Sequence, residues 1–151
     1  MLVEAHYRTV LNFFFFQLSD EQMAVSASVK AIRRFRSRSK GLSTEAQELL
    51  LIDSMSKVLS QLKGHRHAVL HVSPRSDWSV KRTDYLLAWR EFSRKVGTEV
   101  SEILVLRYLL RYDIAQISQA LGVPEGTLLY RLGRGLESFS QTPTLVAAMR
   151  N

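Results

Sequence analysis

The side chains able to do chemistry fall into three groups. His65, His67 and His71 crowd one short stretch, and imidazole is a common metal ligand. The chain has no cysteine, and no carboxylate stands at tight spacing to these histidines. Thiolate zinc is therefore excluded, and no metal site is expected. Paired carboxylates, a nucleophile–base set and a phosphate-cradling glycine loop are all missing from the sequence. The expectation is a protein that is no enzyme, with no catalytic residue and no cofactor. The second group is basic: Lys30, Arg33, Arg34, Arg36, Arg38 and Lys40. Such a run fits a phosphate-contacting patch, or a solvated helix end that complements the macrodipole. The third group is Thr127, Leu129, Tyr130, Arg131 and Arg134, all on one helical stretch. Its hydroxyl and guanidinium groups suit phosphates and base edges; its apolar members suit a protein partner.

Composition narrows the partners. Of 151 residues, 46% are hydrophobic and 23% charged, enough for one domain or two small ones with a packed core. The formal net charge of +7 fits a polyanion, either nucleic acid or an anionic membrane surface, and also serves plain solubility. No stretch approaches the roughly 20 apolar residues a membrane span needs. The run Phe13 to Phe16 is bounded by Arg8, Asn12 and Gln17. Glu4 and His6 stand where a signal peptide needs basic residues. A cytoplasmic chain without membrane insertion is expected.

The elements that must position these groups read as helices. The expected fold class is all-α: two small helical domains joined by a linker, the second containing a helix-turn-helix. The boundaries expected are 1–64, a linker at 65–81, the second domain at 82–141, and a tail or short helix at 142–151. Val3, Tyr7, Val10, Phe14, Leu11, Phe15 and Leu18 give a broad apolar face to a first helix. Phe13 and Phe16 fall off that stripe, which predicts either a helix buried on two sides or an exposed aromatic patch. Ser19 or Asp20 caps a second helix with stripe Val25, Ser28, Val29, Ile32 and Phe35. Thr44 with Gln47 reads as a capping box for a third helix, with Leu51, Ile52, Met55, Val58, Leu59 and Leu62 inward and Gly64 as its stop. "HRHAVLHVSPRSDWSVK", His65 to Lys81, reads as the linker. Beyond it Tyr85, Leu86, Trp89, Phe92 and Val96 share one face, and Val100, Ile103, Leu104, Arg107 and Tyr108 the next. Thr142-Pro143 opens the terminal piece.

Asp113 to Leu136 meets the mechanics of a helix-turn-helix. Ile114, Ile117 and Leu121 face inward from a short helix, and small Ser118 lets a second helix pass close. Gly122 supplies the left-handed turn conformation. Val123 plugs the angle between the helices. Pro124 opens the second helix, which returns to the core through Leu128, Leu132 and either Leu136 or Phe139.

"EILVLRYLL" followed by "IAQISQALGVPEGTLLYRLGRGLESF" resembles the C-terminal domain of bacterial sigma factors, notably the small extracytoplasmic-function type. Leu106-Arg107-Tyr108, the core from Ile114 to Thr127, Arg131-Leu132 and the spacing to Arg134 carry the resemblance. "YRTVLNFFFFQLSD" and "VKAIRRF" resemble the first two helices of the family's other domain. The resemblance implies a first domain that binds the polymerase clamp and melts the −10 element, and a second that binds the −35 element and the polymerase flap.

The sequence also departs from that pattern. The third helix carries no aromatic residue on which a single-stranded base could stack, a contact worth roughly 1–3 kcal/mol. The second helix of the motif has charges Glu125, Arg131, Arg134 and Glu137, which cancel, and presents Leu129 and Tyr130 where the family often has Lys and Ser. Gly133 and Gly135 lie inside it, each costing roughly 1 kcal/mol against alanine. Two functions are therefore expected in competition. One is a sigma-like regulator that binds promoter DNA, core RNA polymerase or both. The other is a sigma-derived module that binds a regulatory protein, such as an anti-sigma-like partner, through Leu129 and Tyr130 with Phe13 and Phe16 as further anchors.

Overall fold

The structure, a computed structural model, describes residues 2–62 and 83–150, with side chains over 4–62 and 86–147. The interval read as a linker, with Gly64 and the three clustered histidines, lies outside the described residues, as does the side chain of Tyr85. The described residues form helices joined by short turns, without a strand: α1 Leu2–Leu18, α2 Glu21–Arg38, α3 Thr44–Gln61, α4 Thr83–Val96, α5 Thr98–Leu104, α6 Ile114–Leu121, α7 Glu125–Ser140 and α8 Pro143–Arg150. A π-helical turn, Val105–Leu109, continues α5. Among the described residues no helix is long and apolar enough to cross a membrane, and no group of three or more His, Asp or Glu could hold a metal ion.

The bulk of the N-terminal core comes from α1. Val10, Phe13, Phe14, Phe15 and Leu18 are all buried, so this helix is enclosed on two sides. The exposed aromatic patch considered for Phe13 and Phe16 does not form: Phe13 is fully buried, and Phe16 packs edge-on against Trp89 at 5.9 Å. Against this broad face α2 turns small residues, Ala24, Ala27, Ser28 and Ala31, before Ile32 and Phe35. Val25 and Val29, expected inward, are each 39% exposed. The reason is volume: phenylalanines already fill the space between α1 and α2, so the close approach selects alanine over valine.

Caps fix where the helices begin. Asp20 has an extended backbone and accepts the Met23 N–H at 2.9 Å, opening α2. Ser43, not Thr44, caps α3: it stays extended while its Oγ accepts the Ala46 N–H at 3.2 Å. Gln47 instead donates to the Leu42 carbonyl at 3.2 Å, so the expected Thr44–Gln47 box is absent.

Among the described residues the two halves touch at two places. At the first, α1 meets α4 and α5. The Trp89 indole N–H donates to the Phe16 carbonyl at 2.7 Å, Trp89 lies against Phe92 at 5.5 Å, and Phe92 meets Phe139 of α7 edge-on at 5.6 Å. Buried Ser93 donates to Ser101 at 2.8 Å beside this aromatic chain. At the second place α3 packs on α6, and Gln116 Nε2 donates to Glu48 Oε2 at 2.9 Å.

The π-helical turn resets the register ahead of the motif. The Leu110 N–H donates to the Val105 carbonyl at 3.0 Å, one residue further back than in an α-helix. Val105 and Leu106 are both buried as a result, while Tyr108, expected on the inward face, is 49% exposed.

Candidate nucleic-acid interface

The motif begins with a reciprocal cap. The Gln116 N–H donates to Asp113 Oδ1 at 2.8 Å, and the Asp113 N–H donates to Gln116 Oε1 at 3.1 Å. α6 ends at Gly122, whose φ of 67° and ψ of 30° place it in the left-handed region that favours glycine. Ser118 does more than leave room: its hydroxyl donates to the Val123 carbonyl at 2.7 Å, locking the turn to the first helix. Ile117, Leu128 and Leu132 are buried between the two helices and the rest of the core.

α7 then presents one face to the core and one to solvent. Leu128, Leu132 and Gly135 are buried. Leu136, one of two options for the core, is turned out; Phe139 takes the inward place, against Phe92. Gly135 has a packing reason: a Cβ there would lie 2.8 Å from Val100 Cγ1 and 3.0 Å from Leu104 Cδ1, so its absence lets α7 close on α5. In the sequence this glycine reads only as a helix cost. Gly133 and Gly126 are different, since nothing lies within 4 Å of either site.

The five residues expected to bind on α7 do not share one face. Tyr130 is 66% and Leu129 56% exposed. By helical spacing Tyr130 sits at the centre of the open face, with Leu129 and Leu136 down one flank and Thr127 and Arg134 down the other. The Arg134 guanidinium carbon lies 6.0 Å from the Tyr130 ring centre, a cation–π contact. Arg131 points elsewhere. It pairs with Glu99 of α5 at 3.5 Å and lines a cleft of about 170 Å³ with Ser56 and Ser60 of α3. That volume is below the ~300–1,000 Å³ usual for small-molecule pockets. The spacing Gly126, Tyr130, Gly133 along the outermost line was visible in the sequence but becomes informative only once the buried face is known.

The basic run divides in the same way. Lys30, Arg33, Arg36, Arg38 and Lys40 are exposed. Arg34 is partly enclosed and pairs with Asp53 of α3 at 3.7 Å. Tyr112, just ahead of α6, is half-buried, and its hydroxyl is pushed up from 10.0 to about 12. Burial is the larger cause, and the nearby Glu48 carboxylate of α3 adds to it.

A two-helix unit packed on the core, with a left-handed glycine turn and one open face on its second helix, defines a helix-turn-helix within an all-helical protein. Comparison with known families agrees: residues 94–139 match the family described as sigma-70 region 4. The match runs from the last turn of α4 through α7, roughly a third of the chain, and the resemblance to sigma factors is borne out over that segment. No curated protein and no solved structure matched the chain.

Proposed function

We propose that the chain is a cytoplasmic sigma-like transcription regulator whose α6–α7 unit engages promoter DNA, core RNA polymerase or both. The observation that carries this reading is the match of 94–139 to sigma-70 region 4, on a segment whose second helix keeps its outer face open. In this reading Thr127, Tyr130 and Arg134 approach the nucleic acid. Arg131 braces α7 against α5 through Glu99. Lys30, Arg33, Arg36, Arg38 and Lys40 add non-specific attraction for phosphates. The interval 65–81 is a linker between the two halves, and the chain works without cofactor or catalysis.

A second reading has its own support. Leu129, Tyr130 and Leu136 form an apolar ridge with cancelling charges, the composition of a protein-docking face. Phe13 and Phe16 no longer belong to it, since the core takes both. Mixing the purified chain with core RNA polymerase on a sizing column tests the proposal. Co-elution is expected. Failure to co-elute, together with no duplex binding at low salt, would overturn it. Capture of a regulatory protein that is lost in Leu129→Ala and Tyr130→Ala would favour the second reading.

A further inference from the structure

Base sequence is read in the major groove by hydrogen bonds to base edges, including single bonds from Glu, Asp, Ser and Thr, and by apolar contacts. Arg or Lys bonds guanine, and Asn or Gln bonds adenine, in paired hydrogen bonds; apolar side chains touch the C5-methyl group of thymine. A helix-turn-helix makes such contacts mainly through the N-terminal part of its second helix. On α7 that part shows Glu125, Gly126, Leu129, Tyr130 and Gly133 outward, with Thr127 half-buried beside them. None of these can make a paired hydrogen bond to guanine or adenine. The nearest arginine, Arg131, is engaged with Glu99, and Arg134 lies a turn further on, against the Tyr130 ring. Apart from the Glu125 carboxylate and the Thr127 and Tyr130 hydroxyls, which are limited to single bonds, what remains is apolar. Leu129 is 56% exposed, and open space stands over Gly126 and Gly133 beside it. Two side-chain-free positions let the helix backbone come close to the floor of a groove, which brings a leucine on its flank within reach of a methyl group.

We propose that α7 recognises DNA chiefly through thymine, with Leu129 as the specificity-determining residue that packs against thymine C5-methyl groups. This rests on the DNA-binding reading above. Hydrogen bonding then contributes little to sequence choice, and Thr127 and Arg134 fix position through the backbone.

The test alters the DNA, so a misfolded variant cannot confuse it. The full chain is used to select its preferred duplex from a randomised pool. Each thymine of that duplex is then replaced by deoxyuridine, which keeps pairing and removes only the methyl. At one or two positions the replacement is expected to weaken binding about fourfold, the fold-change equivalent to ~0.8 kcal/mol for one buried methyl-sized group. Leu129→Ala, a change at an exposed site, is expected to bind the thymine and deoxyuridine duplexes alike. Binding that is indifferent to deoxyuridine at every position overturns the inference while leaving DNA binding intact. Undiminished thymine discrimination by Leu129→Ala also overturns it. A pool from which no duplex is enriched removes the DNA reading itself, and this inference with it.

Discussion

Tyr112 links a single side chain to the packing of the two halves. Its hydroxyl is pushed up to about 12, first by burial and then by Glu48. Below pH 10 the folded and unfolded chains both keep the proton, so the contribution is complete. Between 10 and 12 the unfolded chain releases it first and stability falls; above 12 the contribution is gone. A shift of this size corresponds to roughly 1–3 kcal/mol. Tyr112→Phe is expected to flatten the alkaline loss, as judged by urea unfolding at pH 9 and pH 11.5. A variant that loses stability in parallel with the parent chain would contradict the assignment. Two single residues of the turn were legible in the sequence. Gly122 and small Ser118 were read as the turn and its close approach, whereas the Asp113–Gln116 cap and the Ser118 bond to Val123, though equally local, were missed. The engagement of Arg131 by Glu99 was not readable, because it depends on where α5 comes to rest against α7.

Helix positions followed from apolar periodicity, and helix faces followed less well. Counting hydrophobic residues favoured Val25 and Val29 over Ala24 and Ala27 in α2, but the phenylalanines of α1 decided for the smaller side chains. The π-helical turn leaves no mark in "VLRYL", so the outward swing of Tyr108 could not be read from sequence. The two glycines of α7 offer a paired test. Gly133→Ala meets open space and is expected to stabilise by about 1 kcal/mol through helix propensity. Gly135→Ala gains the same propensity but drives its methyl into Val100 and Leu104. Valine is stiff at χ1, and overpacking costs roughly 1–3 kcal/mol, so the net effect is expected to range from neutral to a loss of about 2 kcal/mol. Urea midpoints with unchanged slopes would separate the two; equal stabilisation by both would show that α7 does not close on α5 through Gly135.

At one of their two contacts, the described halves are tied together by the path from Phe16 through Trp89 and Phe92 to Phe139. Nothing in the sequence pairs these residues, since aromatic contacts between halves carry no local signature. Such a path makes one cooperative unit, so a single unfolding transition is expected by both helicity and tryptophan fluorescence. Trp89→Phe removes the donor to the Phe16 carbonyl and is expected to cost about 1–2 kcal/mol; two separate transitions in the parent chain would contradict the shared core. This body holds the outer face of α7 open, and in the proposed function this face meets DNA. Equilibrium binding to the selected duplex over a salt series, for the parent chain, Tyr130→Ala and Arg134→Ala, tests it most directly. Affinity is expected to fall with rising salt, and Arg134→Ala to bind more weakly with a salt slope lower by about 1. No binding at low salt, or both variants matching the parent chain, would contradict it.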